Sequence, residues 1–358
     1  MRAPWLDWRD PSPGWQLLLW PLSFLSFAYG AGARLHRAVY EKGWLRRRRL
    51  PCRVISVGSI AVGGSGKTPL AAWLALELYR GGHRVVLATR GYGRVKTSRD
   101  AVSVVSDGEF VFGSASASGD EPMLLAGLAP GVPVIVAPDR GLAGLRAVAA
   151  FGADVLVLDD GFQHHRLARD LDIVCLDAGQ GLARRRVLPR GPLREPPAAL
   201  SRADAIVVVD PPLPEDDASE LARLAPDAFR CTAIRRPVSL RSLDGQRIGR
   251  AESIAGMAVG LLSGVARPAA LRRTVESLGA SVVAERRFPD HHRFGPRDLH
   301  GLARCAPLWL TTQKDASKIL PEWCRDADVR VLEIEMQLAE ADALLKWLEA
   351  RLDRPSSG

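Results

Sequence analysis

Residues 53–69 read RVISVGSIAVGGSGKTP, and they carry the clearest structural signal in the chain. Arg53–Gly58 is a short, β-branched run of the kind that forms a buried strand. A glycine-rich turn follows it, and Pro69 suits the first turn of a helix. A strand, a glycine-rich turn and a helix start that reads Gly-Lys-Thr form the setting of a phosphate-binding P-loop. The stretch therefore predicts a nucleoside triphosphate site.

Each part of this loop has a physical role in such a site. Backbone N–H groups curl around the β-phosphate, and the helix N-terminus adds its positive end. The residues expected to form this cradle are Gly63, Gly64, Ser65 and Gly66. Lys67 is expected to reach the β- and γ-phosphates, and the Thr68 hydroxyl to ligate Mg²⁺. Ala61 replaces the first glycine of the strict pattern, which a small residue can tolerate. ATP and Mg²⁺ are the ligands that this loop predicts.

A P-loop also needs an acidic residue at the end of a neighbouring strand to hold the metal ion. Residues 155–160 read VLVLDD, four apolar residues followed by Asp159 and Asp160. We expect both carboxylates near Mg²⁺, and the sequence does not say which of them is nearer. Gln163 and His164 follow in a polar cluster at the carboxyl end of this strand, where ligands bind in open α/β sheets.

The rest of the chain after Pro51 alternates short β-branched runs with helical stretches. This alternation predicts βαβ units and an α/β fold with a mainly parallel sheet and helices on both faces, as in RecA-like P-loop NTPases. A length of 358 residues favours two such domains. We expect an N-terminal segment over residues 1–50, a P-loop domain over 51–240 and a smaller C-terminal α/β domain over 241–358.

The first fifty residues have a different composition. No residue between Asp10 and Arg34 is charged, and the basic run Arg46–Arg49 follows. We expect a helix in the membrane interface, with tryptophans at headgroup depth and arginines on anionic lipid. A spanning helix needs about 20 apolar residues, which this segment barely supplies. A secretory signal and a core helix of a soluble domain are the other possibilities.

Charge and composition limit the partners. The net charge of +9 suits an anionic partner such as a nucleic acid, a phosphorylated substrate or an acidic membrane. Aromatic residues are only 6% of the chain, and no base-stacking motif is present, so we expect no nucleic-acid partner. The five cysteines show no Cys-x-x-Cys spacing, which indicates neither a disulfide framework nor a zinc site.

Three further clusters combine charged and histidine residues. Residues 119–122 (GDEP) place two acids at a helix start, where they serve a site or only cap the helix. Residues 90–94 (RGYGR) follow a strand and form either a turn or part of a site. Residues 288–294 (FPDHHRF) put an acid and two histidines in one loop. Three consecutive residues rarely converge on one metal ion, so proton handling is the better interpretation of this loop.

Taken together, these motifs resemble the tetraacyldisaccharide 4′-kinase family, the lipid A 4′-kinases of Gram-negative inner membranes. The resemblance runs from the apolar N-terminal segment to about Lys318. It rests on an ordered set of motifs, namely GGSGKT, RGYGR, GDEP, DDGFQHH, LPRGPLREP, FPDHHRF and TQKDASK. It implies phosphorylation by ATP of the 4′-hydroxyl of a tetraacyl glucosamine disaccharide 1-phosphate, which gives lipid IVA. It also implies a location on the cytoplasmic face of the inner membrane, and we expect a monomer.

The resemblance also implies residue roles. Asp120 matches the catalytic acid of the family, Glu121 the adjacent magnesium ligand, and His291 the histidine that pairs with Asp120. Tyr92 and Arg140 match positions that line the substrate and phosphate region, as do Gln163 and His164. The segment 312–315 reads TQKD where the family often has TEKD, so its role stays open.

The expected mechanism uses Asp120 as a base on the sugar hydroxyl, in a coupled pair with His291. With the predicted domain boundaries, Asp120 would come from the P-loop domain and His291 from the C-terminal domain, so the pair would form on cleft closure. The alternative function is a P-loop NTPase switch that acts on a protein partner. The segment 312–315 does not supply the Asn-Lys-x-Asp pattern that guanine recognition requires.

Overall fold

The computed structural model describes residues 19–91, 102–112, 118–182 and 186–353. The α-helices of these parts are α1 Trp20–Glu41, α2 Lys67–Arg80, α3 Asp120–Leu128, α4 Arg140–Phe151, α5 Glu215–Leu224, α6 Pro268–Ser277, α7 Pro296–Leu299, α8 Gln313–Ala316 and α9 Ala341–Leu352. The strands are β1 Arg53–Gly58, β2 Val85–Thr89, β3 Ser103–Ser106, β4 Val134–Val136, β5 Val155–Asp159, β6 Leu171–Asp177, β7 Ala205–Val209, β8 Phe229–Ser242, β9 Arg247–Arg250, β10 Ala258–Ser263, β11 Ser281–Arg287, β12 Leu308–Thr312 and β13 Asp328–Leu338.

These elements form two compact units that do not follow the predicted contiguous boundaries. The first unit combines residues 1–90, 139–234 and 338–358, and the second combines 91–138 and 235–337. The segment that contains α3 groups with the C-terminal half because α3 packs against α8. The terminal helix α9 returns to the first unit, where Glu349 lies 3.0 Å from the Nε2 atom of His83. Domain boundaries drawn from sequence composition alone cannot predict groupings that depend on contacts between distant segments.

The first unit contains the predicted parallel sheet. Its strand order is β8-β7-β6-β1-β5-β2, and every neighbouring pair in that row is parallel. Strands β1, β5 and β6 are almost continuously buried and mainly apolar, as expected when helices cover both faces. The mainly parallel α/β fold that the sequence predicts is confirmed in this unit.

The geometry around β1 brings two loops together at the carboxyl ends of the strands. Val57 pairs with Asp159 in the register of β1 and β5, so the two strands end side by side. Gly58 is needed at this point because a Cβ atom there would lie 2.5 Å from the Cβ atom of Phe162. The P-loop and the loop after β5 therefore start from neighbouring strand ends.

The second unit is built on its own parallel strands. Their order is β11-β10-β12-β13, followed by the outer part of β8, on which β9 pairs antiparallel. Strands β3 and β4 of this unit form an antiparallel pair. Trp309 is 1% exposed and donates a hydrogen bond from Nε1 to the Leu302 carbonyl, which satisfies its only polar atom inside the core.

The N-terminal region of the described chain is the helix α1 of the first unit. Trp20, Phe24 and Phe27 are each more than 60% exposed on this helix. Ser26 and Gly30 lie on its buried side. Among the described residues, no helix has the length and apolar character that a membrane crossing requires.

Candidate active site

The P-loop joins β1 to α2 in the first unit, as predicted. Gly66 precedes α2 with a φ of +90°, and Gly63 has a φ of +97°, conformations that side chains other than glycine rarely adopt. Lys67 begins the helix, and its side chain is 11% exposed. The buried hydroxyl of Ser65 has no hydrogen-bond partner among the described residues. A left-handed glycine turn with an unsatisfied buried hydroxyl and a sheltered lysine fits a phosphate group.

The acidic residues after β5 divide into two different environments. Asp159 is fully buried and accepts a hydrogen bond from the Thr68 hydroxyl, with Oγ1 3.2 Å from Oδ2. Asp160 has a φ of +55° and lies 2.7 Å from Nη1 of Arg194 and 3.9 Å from Nζ of Lys67. Burial raises the pKa of Asp160, but the charges of Lys67 and Arg194 outweigh it and lower that pKa.

The different environments of Asp159 and Asp160 matter for where a magnesium ion could bind. A threonine hydroxyl beside a buried carboxylate fits the Mg²⁺ arrangement of P-loop proteins. Asp159 is the carboxylate paired with the Thr68 hydroxyl, and Asp160 is an anion held by two cations. Within the described ranges, no three side chains of histidine, cysteine, aspartate or glutamate cluster as a metal site. Glu121, the other predicted ligand, belongs to the second unit and is half-buried.

Sequence reasoning missed three residues beside this site. Glu195 is 4% exposed and accepts hydrogen bonds from Gln163 Nε2 at 3.1 Å and from Arg202 Nη1 at 2.9 Å. Gln163 also donates to the Ser59 carbonyl, at the start of the P-loop. With Arg194 these residues form one network around the predicted Gln163. The signal was present in the LPRGPLREP motif, which was too rich in proline for an ordinary connection.

Two other predicted residues lie in the first unit, Arg140 buried and His164 half-buried. Arg140 is the first residue of α4 and is 5% exposed. Burial and the charge of Arg90 lower its pKa to about 10, against the attraction of Asp160 and Asp159. Burial and the charge of Arg140 likewise lower the pKa of His164 to about 4. At pH 7 the arginine is therefore charged and the histidine is neutral. Tyr92, the remaining predicted position, lies outside the described residues.

The second unit holds the predicted acid–histidine pair. Asp120 begins α3 and is 5% exposed, and its Oδ2 lies 3.0 Å from the Nδ1 atom of His291. His291 has a φ of +61°, which is unusual for a residue with a Cβ atom. Both residues lie in the second unit, whereas the predicted boundaries assign them to different domains. Their contact is made within that unit.

Two lysines complete the surroundings of Asp120, and neither was assigned from the sequence. The Nζ atoms of Lys314 and Lys318 each lie 3.7 Å from Oδ2 of Asp120. Burial raises the pKa of Asp120, but the hydrogen bond from His291 and the two lysine charges lower it to about 2. The hydrogen bond with Asp120 raises the pKa of His291, against burial and the charge of Lys314. Asp120 is therefore ionised throughout the physiological range.

The TQKD segment positions these lysines. Thr312 caps the short helix α8, and Asp315 is fully buried, where it accepts hydrogen bonds from the Gly264 backbone and from the Thr312 hydroxyl. Asp315 also lies 2.8 Å from the Nζ atom of Lys318. Gln313, which replaces the glutamate of the usual motif, accepts a hydrogen bond from the Ile334 backbone. The segment thus holds the two lysines, Lys314 and Lys318, beside Asp120.

The loop with Asp290, His291 and His292 does not converge on one point. The Nε2 atom of His292 lies 3.0 Å from Asp298, and its ring stacks on Phe288 at 4.4 Å. His291 faces Asp120, and Asp290 lies 3.1 Å from the Nζ atom of Lys314. The divergence favours the proton-handling interpretation of this loop over the metal site.

Strand β1, the glycine turn and the Thr68–Asp159 pair define a P-loop protein of the α/β class, and comparisons with known proteins identify the group within that class. The chain matches the family Tetraacyldisaccharide-1-P 4′-kinase over residues 15–353. It therefore belongs to this family, and the resemblance drawn from the motifs is confirmed.

Individual relatives agree with that assignment. The chain is 43% identical over 357 residues to the tetraacyldisaccharide 4′-kinase of Anaeromyxobacter sp. (strain Fw109-5), covering 96% of this chain and 94% of the relative. It is 38% identical over 354 residues to the enzyme of the same name from Syntrophus aciditrophicus (strain SB), covering 92% and 93% of the two chains. The crystal structure of LpxK from Aquifex aeolicus in complex with ATP superposes with a TM-score of 0.73 at 30% identity, covering 94% of this chain and 99% of that one.

Proposed function

We propose that this chain transfers the γ-phosphoryl group of ATP to the 4′-hydroxyl of a tetraacyl glucosamine disaccharide 1-phosphate, forming lipid IVA for lipid A biosynthesis. The observation that carries the proposal is the buried, ionised Asp120 beside His291, Lys314 and Lys318. An NTPase switch would need the nucleotide-binding residues but not a second set of proton-handling groups. Family membership and this second set together favour the kinase.

The first unit supplies the nucleotide-binding half. Backbone groups of the P-loop and the Ser65 hydroxyl would hold the β-phosphate, and Lys67 would neutralise charge on the transferring group. Thr68 and Asp159 would hold Mg²⁺, which when bound neutralises the phosphate oxygens. Arg194 and Lys67 keep Asp160 ionised, so that it orients these cations. Glu121 remains a proposed second magnesium ligand.

The second unit supplies the group that handles the hydroxyl proton. A carboxylate with a pKa of about 2 is a weak base, so it would not remove the proton before phosphoryl transfer begins. Its role is to orient the hydroxyl and to accept the proton late, as the new P–O bond forms. His291 would stabilise the carboxylate through Nδ1 and hold it in one orientation.

The acceptor region is proposed from the residues around Gln163. Arg140, Gln163 and His164 would line the region that binds the sugar and the phosphates, and Tyr92, outside the described residues, stays a residue predicted for substrate binding. Arg140 is a buried cation, and His164 is neutral, so the region combines a charge for phosphate with an uncharged partner for sugar hydroxyls.

The membrane location is part of the same proposal. We place α1 on the anionic cytoplasmic surface of the inner membrane, with the protein as a monomer. Trp20, Phe24 and Phe27 are exposed by 68%, 67% and 71%, large apolar side chains that a membrane interface would bury. The basic run Arg46–Arg49 follows the helix and would contact lipid phosphates.

The test is transfer of labelled γ-phosphate from ATP to the purified disaccharide 1-phosphate in detergent micelles. We expect labelled product that carries a second phosphate, and about a thousandfold slower transfer by the K67A variant. ATP hydrolysis that ignores the lipid acceptor but responds to a protein partner would reject the kinase in favour of the NTPase switch.

A further inference from the structure

A cavity of about 260 Å³ lies between α1 and the segment after residue 186, entirely within the first unit. Arg34, Arg186 and Arg190 line it together with Phe27, Val187 and Pro196. The mechanism described above uses none of these residues. The cavity therefore needs its own explanation.

The charges around the cavity are all of one sign. No aspartate or glutamate is among the described residues that line it. Arg186 and Arg190 line the same cavity, and burial together with the charge of Arg186 lowers the pKa of Arg190. The buried Nε atom of Arg190 has no hydrogen-bond partner in the described parts of the chain. Guanidinium groups in such a setting favour an anion with several oxygen atoms, and their fork geometry matches phosphate.

The walls of the cavity are held in place by hydrogen bonds. The buried Ser26 hydroxyl of α1 donates to the Val187 carbonyl at 2.9 Å and accepts from the Arg190 backbone N–H at 3.0 Å. One side chain thus joins the helix to the arginine segment at two points. Phe27, which lines the cavity from α1, is 71% exposed. The cavity is a preformed cationic site with an apolar wall on the helix proposed to contact lipid.

The arginine segment also reaches the nucleotide site. The Val62 backbone N–H of the P-loop donates to the Pro192 carbonyl at 2.8 Å, and the Arg194 backbone N–H donates to the Ile60 carbonyl at 2.6 Å. The Arg194 side chain then binds Asp160. A single short segment therefore lines the cavity at one end and contacts the phosphate-binding residues at the other.

We infer that this arginine cavity binds a phosphate monoester carried by a lipid, namely the phosphate that the acceptor already bears on the sugar remote from its reacting hydroxyl. The inference rests on the proposed function, because it assigns a subsite for that acceptor. An acceptor with a phosphate at one end and a hydroxyl at the other needs a cationic site separate from the one that holds ATP. The cavity supplies that site beside the membrane helix.

The test compares two acceptors in neutral detergent micelles, the disaccharide 1-phosphate and the same disaccharide without that phosphate. The test variant is R186Q/R190Q. The matched control is R80Q/R223Q, which removes the same charge from exposed arginines of the same unit that pair with Glu77 and Glu220. R34Q provides a second test at an exposed position if the double variant does not fold.

We expect R186Q/R190Q to raise the KM for the phosphorylated acceptor at least tenfold, equivalent to about 1.4 kcal/mol, and to change the KM for the other acceptor less than twofold. The control should change neither value. An equal change on both acceptors, or no change, overturns the inference. A loss that appears only when phosphatidylglycerol is added to the micelles means that a phospholipid headgroup occupies the cavity, which also overturns the assignment to the acceptor. Wild-type protein that phosphorylates neither acceptor rejects the proposed function itself.

Discussion

Replacing Asp120 by asparagine removes the charge at the centre of the proposed proton-handling site and keeps the shape of the side chain. Asp120 is 5% exposed and is surrounded by His291, Lys314 and Lys318. An amide keeps a hydrogen-bond acceptor for His291 but cannot take the proton of a hydroxyl. We therefore expect D120N to separate the catalytic role of the carboxylate from its steric role.

The size of the effect on stability follows from the pKa of Asp120. Burial raises that pKa, but His291 and the lysines lower it from 3.8 to about 2. Since a tenfold change in proton affinity is worth about 1.4 kcal/mol, the ionised carboxylate stabilises the folded unit by about 2 kcal/mol at pH 7. The native pKa is the lower one, so this stabilisation is complete above the ordinary aspartate pKa. It is lost as the pH falls through about 2.

Thermal unfolding and steady-state kinetics measure the two roles. At pH 7 we expect D120N to melt about 4–8 °C below the wild type, the shift for about 2 kcal/mol in a unit of 150–250 residues. The difference should fall to about half by pH 3. The kcat should drop about 10²- to 10⁴-fold. The KM for ATP should change little, because the nucleotide-binding residues lie in the other unit.

The matched control is D298N, which alters a second aspartate–histidine pair of the same unit, where Asp298 lies 3.0 Å from His292. Its kcat should stay within twofold of the wild type. A folded D120N protein with near-normal kcat would reject Asp120 as the proton acceptor. An unchanged melting temperature at pH 7 would refute the electrostatic account of its pKa.

Three other variants test the remaining parts of the site. K67A should lower kcat about a thousandfold at an unchanged melting temperature, because its charge acts on the transferring group; a folded variant with normal turnover would contradict the P-loop assignment. H291N should lower kcat, and the double variant with D120N should be little slower than the slower single variant. Because Asp120 raises the pKa of His291, the stability that H291N loses should be fully present below pH 6.5 and fade as the pH rises through the raised value, which melting curves between pH 6 and 9 can follow. If the double variant instead shows the product of the two single losses in kcat, Asp120 and His291 act independently. W20E/F24E should stop flotation of the protein with phosphatidylglycerol vesicles, since it places charge on side chains exposed by more than 60%; unchanged flotation would place the membrane contact elsewhere.

The nucleotide-binding site was predictable because its signals are local. A β-branched run, left-handed glycines and a Gly-Lys-Thr helix start lie within about twenty residues, and the geometry of Gly63 and Gly66 is the one those residue types permit. The apolar run before Asp159 predicted its strand in the same way. The pairing of Thr68 with Asp159 then follows from the register of β1 and β5.

The proton-handling residues were harder to predict because they are far apart in the sequence. The pairing of Asp120 with His291 was predicted from the family resemblance alone. An aspartate and a histidine so far apart in the sequence carry no signal that they meet in the fold. Lys314 and Lys318 could not be ranked above other surface lysines, because their role depends on how α8 packs against α3. The division of the chain into two units depends on the same kind of long-range contact. Residues 91–138 group with the second unit, although the P-loop segment that precedes them in the sequence belongs to the first.

The return of α9 to the first unit has a consequence for the order in which the protein can mature during synthesis. Leu344 and Leu348 of this helix are fully buried, and Trp347 packs its ring against Phe229. The second unit ends at Gln337, so every residue it needs has been translated before α9 exists. The core of the unit with Asp120 and His291 can thus form without α9. The nucleotide unit, although its P-loop is made early, stays open along the surface that α9 covers until the helix emerges.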